Sequence, residues 1–348
     1  MQSEIGEHEL ADPAAIDRRR RFRLTGALLV GIGAIVVLGL LSLSIGSNNL
    51  SIGEVWTGLT TADGSRASII VWQLRMPRTA LAILVGAALA VSGVLMQALT
   101  RNPLAEPGLL GVNAGAAFAV VLALSVLGAT TIDEYLWFAF LGAGSAAAFV
   151  YVISVRRTHA SDHARLVLAG AALTASLSAC TGIVTMFDAD TFDSYRFWVI
   201  GSVADRGIDT VVQILPFVVA GLVVALISGS SLNALALGDE QATALGVRLA
   251  VIRVLAIATI TLLSGAATAA AGPIGFVGLM VPHLLRLVVG VDHRTVLALS
   301  AVVGPCLVLA ADVIGRVVAR PGELEVGIVT AFVGAPVLIV LLLRRRSS

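Results

Sequence analysis

Few residues in this chain of 348 could do chemistry, and they are scattered. Asp312 and Arg316 stand at i,i+4, which puts two side chains on one helix face. Either they form a local ion pair, or Arg316 serves an external surface. Asp188, Asp190 and Asp193 form a short acidic loop. An EF-hand needs a carboxylate at its twelfth position, where Val199 stands, so the loop reads as a solvated face. His283 and His293 lack a helpful third ligand, which disfavours zinc. Cys180 and Cys306 lie in apolar stretches and read as small core residues. No Ser/His/Asp or Cys/His arrangement has usable geometry. All 23 basic residues are arginine. A phosphate-binding P-loop ends in Lys-Ser/Thr, so the chain cannot carry that ATPase motif. If ATP drives this protein, a partner hydrolyses it.

The elements that must hold these residues are membrane spans. The hydrophobic fraction is 57% and the mean hydropathy is +0.96, far above the soluble range. A bilayer core takes about 20 apolar residues per helix. Continuous apolar runs predict ten spans: Leu24–Ile45, Thr79–Leu99, Leu109–Leu127, Tyr135–Val155, Arg165–Met186, Asp209–Ser228, Leu249–Ala271, Gly272–Val289, Thr295–Val318 and Val326–Leu343. Their length, without period-two alternation, favours helices over a barrel. Residues 1–23 read as a cytoplasmic polar and basic tail, partly disordered, residues 24–343 as the transmembrane domain, and 344–348 as a second cytoplasmic tail. Arg19-Arg20-Arg21-Phe22 faintly resembles an export signal, but the following run reads better as a retained first span. With the N-terminus inside, 16 of the 23 arginines fall in cytoplasmic gaps, as the positive-inside rule requires. The net charge of +1 argues against nucleic-acid binding.

The span interiors are nearly free of Asp, Glu, His and Arg. That weakens a proton-coupled carrier, which uses such groups as relays, and an integral membrane enzyme such as a lipid transferase. The Gly272–Gly278 segment, GPIGFVG, should break a helical ladder. In the inside gap Ser230–Arg248, Gly238 can end one short helix. Asp239 and Glu240 suit the start of the next, and Gly246 ends that one. The segment, about residues 233–247, is either a compact docking knob or an amphipathic loop on lipid headgroups.

Three blocks carry a resemblance over nearly the whole chain. The first runs from Trp72-Gln73-Leu74-Arg75-Met76-Pro77-Arg78-Thr79 to Arg101-Asn102-Pro103-Leu104-Ala105-Glu106-Pro107-Gly108-Leu109-Leu110-Gly111. The second is Gly272-Pro273-Ile274-Gly275-Phe276-Val277-Gly278 with Pro282-His283-Leu284-Leu285-Arg286, and the third is Gly334-Ala335-Pro336. These blocks resemble the FecCD/BtuC-type permeases of ABC importers for iron–siderophores, haem and vitamin B12. The resemblance implies an all-α type II importer permease with about ten transmembrane helices, in a bacterial cytoplasmic membrane with both termini inside. It implies no cofactor on this chain and ATP with Mg on a partner. Implied partners are a second permease (a heterodimer favoured, a homodimer possible), two ATPase subunits, a substrate-binding protein, the cargo and membrane lipid. Arg75, Arg78 and Arg316 match external arginines that dock the binding protein. Leu235, Leu237, Gly238, Asp239, Glu240, Ala244, Leu245 and Gly246 match ATPase-coupling positions. Asn102 and Leu104 match a cytoplasmic gate. Asp312-Val313-Ile314-Gly315-Arg316 and Tyr195-Arg196-Phe197-Trp198 look closest to ferric-enterobactin-like permeases, with haem and B12 as alternatives.

Overall fold

The computed structural model describes residues 13–46, 50–61, 64–129, 131–155 and 162–346. Among these, every regular element is helical. In chain order they are α1 (Pro13–Ser44), α2 (Ile52–Thr60), α3 (Arg66–Ile69), α4 (Met76–Thr100), α5 (Val112–Leu127), α6 (Ile132–Val155) and α7 (Asp162–Phe187). Then follow α8 (Ala189–Ile200), α9 (Ile208–Ala236), α10 (Asp239–Ala244), α11 (Leu249–Ala271), α12 (Val277–Val289), α13 (His293–Val318) and α14 (Val326–Arg346). A π-helical stretch, Ile70–Arg75, joins α3 to α4, and a 3-10 turn, Pro107–Leu110, precedes α5. Seven helices are long and apolar enough to cross a membrane, and three shorter apolar helices at 112–127, 277–289 and 326–340 complete ten.

Helix α4 is the axis of the bundle. Its sequence is apolar and small-sided all round, and such a helix must be enclosed. Helices α13, α11, α9 and α12 pack around it. Close approach depends on missing side chains: a Cβ on Gly93 would lie 1.8 Å from the Gly278 carbonyl oxygen. Helices α1 and α7 sit at the periphery, with most of their apolar surface outward.

Three expected elements differ. Helix α1 begins at Pro13, so residues 13–23 of the expected tail are helical, while residues 1–12 lie outside the described set. The expected eighth span is an extended turn, Gly272–Phe276, followed by the 13-residue α12. Gly272 (φ +72°) and Phe276 (φ +67°) are both left-handed, which breaks the ladder there. The expected pair of short helices at residues 233–247 is only one, α10. Leu232 and Leu235 continue the buried face of α9, and nothing interrupts it until Gly238, at φ +114°.

Candidate functional site

At the N-terminal end of α4, three arginines converge on one feature. The π-helical turn and the first turn of α4, with Pro77 near its start, carry Arg75 and Arg78. The last turns of α13 carry Asp312 and Arg316. All three arginines line a cavity of about 720 Å³. Yet Arg75 is only 6% exposed, Arg316 2% and Asp312 0%. Arg316 donates to the Ser42 carbonyl at 2.8 Å, the Ile45 carbonyl at 2.7 Å and the Ser42 hydroxyl at 2.6 Å. Arg75 donates to the Leu43 carbonyl. The two guanidiniums therefore satisfy the open carbonyls at the C-terminus of α1, where the helix dipole is negative. Arg316 also pairs with Asp312, the local pair its spacing allowed. The other Asp312 oxygen accepts from Arg78 at 2.7 and 2.9 Å. Glu323 takes a further Arg78 N–H at 2.6 Å.

A fourth arginine escaped sequence reading. Arg206, in the turn before α9, lines the same cavity, and its Nε is buried without a partner among the described residues. The signal in the sequence was faint: Asp205-Arg206-Gly207 reads as an ordinary turn. Nearby, the acidic loop proves to be a helix cap. Asp188 accepts from the Thr191 N–H at 3.1 Å and the Thr191 hydroxyl at 2.6 Å, opening α8.

The opposite end of α4 lies 25 residues away, about 38 Å at 1.5 Å per residue. Here α10 follows Gly238. Asp239 opens α10 and accepts from Arg101 and Arg253, both at 2.6 Å. Arg101 also donates to the Leu235 carbonyl at 2.9 Å. Burial works against the Asp239 carboxylate, but the charges and hydrogen bonds of Arg253 and Arg101 outweigh it and hold its pKa below the ordinary value. Leu235 is buried and anchors the segment. Leu237 (59% exposed) and Leu245 (64%) face outward with Glu240, Ala244 and Gly246. Two ion pairs fix this outward apolar step.

The loop between α4 and α5 sits beside it. Asn102 is exposed, and its side-chain oxygen accepts from the Leu104 N–H at 3.0 Å, closing a tight turn around Pro103. Four residues on, Glu106 accepts from the Phe276 N–H at 3.0 Å. The loop bearing Asn102 and Leu104 is thus tied to α10 through Arg101 and to the α11–α12 break through Glu106. Neither tie was visible as spacing. Gln97 adds a third link, donating to the Gly278 and Leu279 carbonyls at 3.2 and 3.3 Å and accepting from Arg286.

A multi-pass helical bundle with a broken helix at its centre, a polar cavity at one end and a braced apolar step at the other has the architecture of a membrane permease. The chain belongs to the FecCD transport family, whose profile matches residues 34–344. It is 43% identical over 327 residues to the ferric enterobactin transport system permease protein FepD of Escherichia coli (strain K12), covering 94% of this chain and 96% of that one. It is 41% identical over 330 residues to the Fe(3+)-citrate import system permease protein YfmD of Bacillus subtilis (strain 168), covering 95% and 98%. A solved structure described as an inward-facing conformation of a metal-chelate type ABC transporter superposes with a TM-score of 0.81 at 30% identity. It covers 91% of this chain and 98% of its own.

Proposed function

We propose that this chain is one of two different permeases of an ABC importer that carries an iron(III)–siderophore complex across a bacterial cytoplasmic membrane. Both termini face the cytoplasm, as the arginine distribution favours. Two separate ATPase subunits bind and hydrolyse ATP with Mg, and one of them seats against Leu237, Ala244 and Leu245. A loaded substrate-binding protein meets the outer cavity. There Arg206 is the cation with most freedom to meet its carboxylates, and Arg78 can join it by releasing Glu323, while Arg75 and Arg316 shape the floor. The observation that carries this reading is the brace from α10 to the gate loop: Arg101 holds Asp239, and its neighbours Asn102 and Leu104 form the turn that leads to Glu106 and the broken helix. Movement of α10 therefore pulls on the cytoplasmic end of the path. The cargo follows because the inward- and outward-facing states differ in affinity for it. The iron-chelate names of the relatives favour the cargo class.

The test is reconstitution of the purified complex in vesicles with each loaded binding protein in turn. An iron–siderophore-loaded receptor should stimulate ATP hydrolysis and drive accumulation. Stimulation by a haem- or B12-loaded receptor instead would replace the cargo. Accumulation by the permease without any ATPase would overturn the mechanism.

A further inference from the structure

Helices α6 and α11 leave a groove between them on the outside of the bundle. Phe140, Gly144, Ala148 and Tyr151 of α6 face Ile257 and Leu262 of α11 around a cavity of about 360 Å³. A second cavity of about 50 Å³ shares Tyr151 and Ile257 with it and continues to Ser154, Leu166 and Arg253. The two adjoin across these side chains. From Gly144 to Ser154 is ten residues of α6, about 15 Å along the helix. That is half of a hydrocarbon core about 30 Å thick, or one leaflet.

The groove has the polarity of an amphiphile. Along its length the walls are apolar. Thr261 lines the long part of the groove, and the charged donor, Arg253, stands at the arginine-rich end. The Tyr151 hydroxyl has no hydrogen-bond partner among the described residues. Arg253 uses one Nη on Asp239, which leaves its Nε and its other Nη unpartnered among the described residues. Exposed Arg165 adjoins Leu166, and Arg101 shares Asp239 with Arg253. Arg101, Arg165 and Arg253 make this end rich in cations. The surrounding surface is that of a lipid-facing wall: Leu141, Phe149 and Val254 are all exposed, and Trp137 stands exposed toward the other end of α6, as interfacial tryptophans do.

We propose that this groove binds one anionic phospholipid of the leaflet at the arginine-rich end. An acyl chain lies between α6 and α11, and the phosphodiester accepts from Tyr151 and Arg253. Arg253 also holds Asp239, so the lipid and the proposed coupling helix meet at one side chain.

The test is native mass spectrometry of the purified, delipidated complex after addition of dioleoyl phosphatidylglycerol or dioleoyl phosphatidylcholine. The wild type should retain one phosphatidylglycerol per chain, roughly tenfold more firmly than phosphatidylcholine, whose choline cation offsets the charge that the arginines meet. Gly144→Leu should abolish that preference, because a Cβ at 144 meets nothing within 4 Å and the leucine enters the groove freely. Tyr151→Phe removes one donor at nearly constant volume and should lower phosphatidylglycerol retention several-fold, about the worth of one such bond. This second variant decides the matter should the first fail to fold. Equal retention of the two lipids would overturn the proposal. So would unchanged phosphatidylglycerol retention in Tyr151→Phe. Loss of a neighbouring subunit from Gly144→Leu with lipid retention intact would show that protein covers the groove, and would overturn it too.

Discussion

Replacement of Asp312 by asparagine is the sharpest probe of the arginine cluster at the start of α4. Asp312 is wholly buried, and its two oxygens hold two guanidiniums, those of Arg78 and Arg316. Asparagine keeps the shape and removes the charge. Breaking one side of a buried ion pair costs about 3–5 kcal/mol, because the remaining charge is left uncompensated. Arg78 lines the open cavity and can gain water, whereas Arg316 is 2% exposed and cannot. The lower end, about 3 kcal/mol, is therefore the better figure, or roughly a hundredfold in the unfolding constant. Glu323→Gln is the internal control. Glu323 is 30% exposed and holds only Arg78, so its loss should cost about 0–1 kcal/mol. Titration of the purified complex in mild detergent with a denaturing one would measure both. Adding Arg316→Met to Asp312→Asn should recover only part of the loss, since the carbonyls of Ser42 and Ile45 then lose their donor. If Asp312→Asn proved as mild as Glu323→Gln, the cluster would not be the structural lock inferred from its burial.

Other predictions separate docking from folding. Arg206→Glu should slow association of the loaded binding protein by about tenfold at low salt, with thermal stability unchanged and the difference shrinking as salt rises; stopped-flow binding would read it, and an unchanged rate would remove Arg206 from the docking surface. Leu237→Glu and Leu245→Glu should each weaken co-purification of the ATPase by roughly tenfold or more while the permease stays folded, because both side chains are exposed and apolar; full ATPase recovery would count against contact there. Asp239 has a folded pKa below its ordinary 3.8, so its contribution is complete above 3.8 and is lost as pH falls through the lower folded value. Hydrogen exchange in α10 should accordingly be equally protected at pH 8 and pH 5, and deprotected at both in Asp239→Asn; a pH dependence between 5 and 8 would point to another group.

The spans were legible because hydropathy is local. A stretch of about 20 apolar residues must be helical in lipid whatever surrounds it. The family blocks were legible for a related reason. They contain glycines and prolines at close contacts and breaks, such as Gly93 against Gly278 and Gly272 at the end of α11. The end of α9 was misread because Gly238 alone stops it, while Leu232 and Leu235 supply burial that no local pattern announces. Arg75 and Arg316 read as surface cations because arginine in a sequence carries no mark of its partner. Their acceptors are the carbonyls of Ser42, Leu43 and Ile45 at the end of a distant helix.

Composition and order alone determined that this chain lives in a membrane, which end carries its positive charge, and that it has no P-loop of its own. Each follows from residue type and neighbouring positions. Only the tertiary structure decided which charges are spent inside the fold and which remain to meet a partner. That choice depends on contacts between residues such as Arg78 and Asp312, 234 positions apart, and on water that packing excludes from one guanidinium and admits to the next.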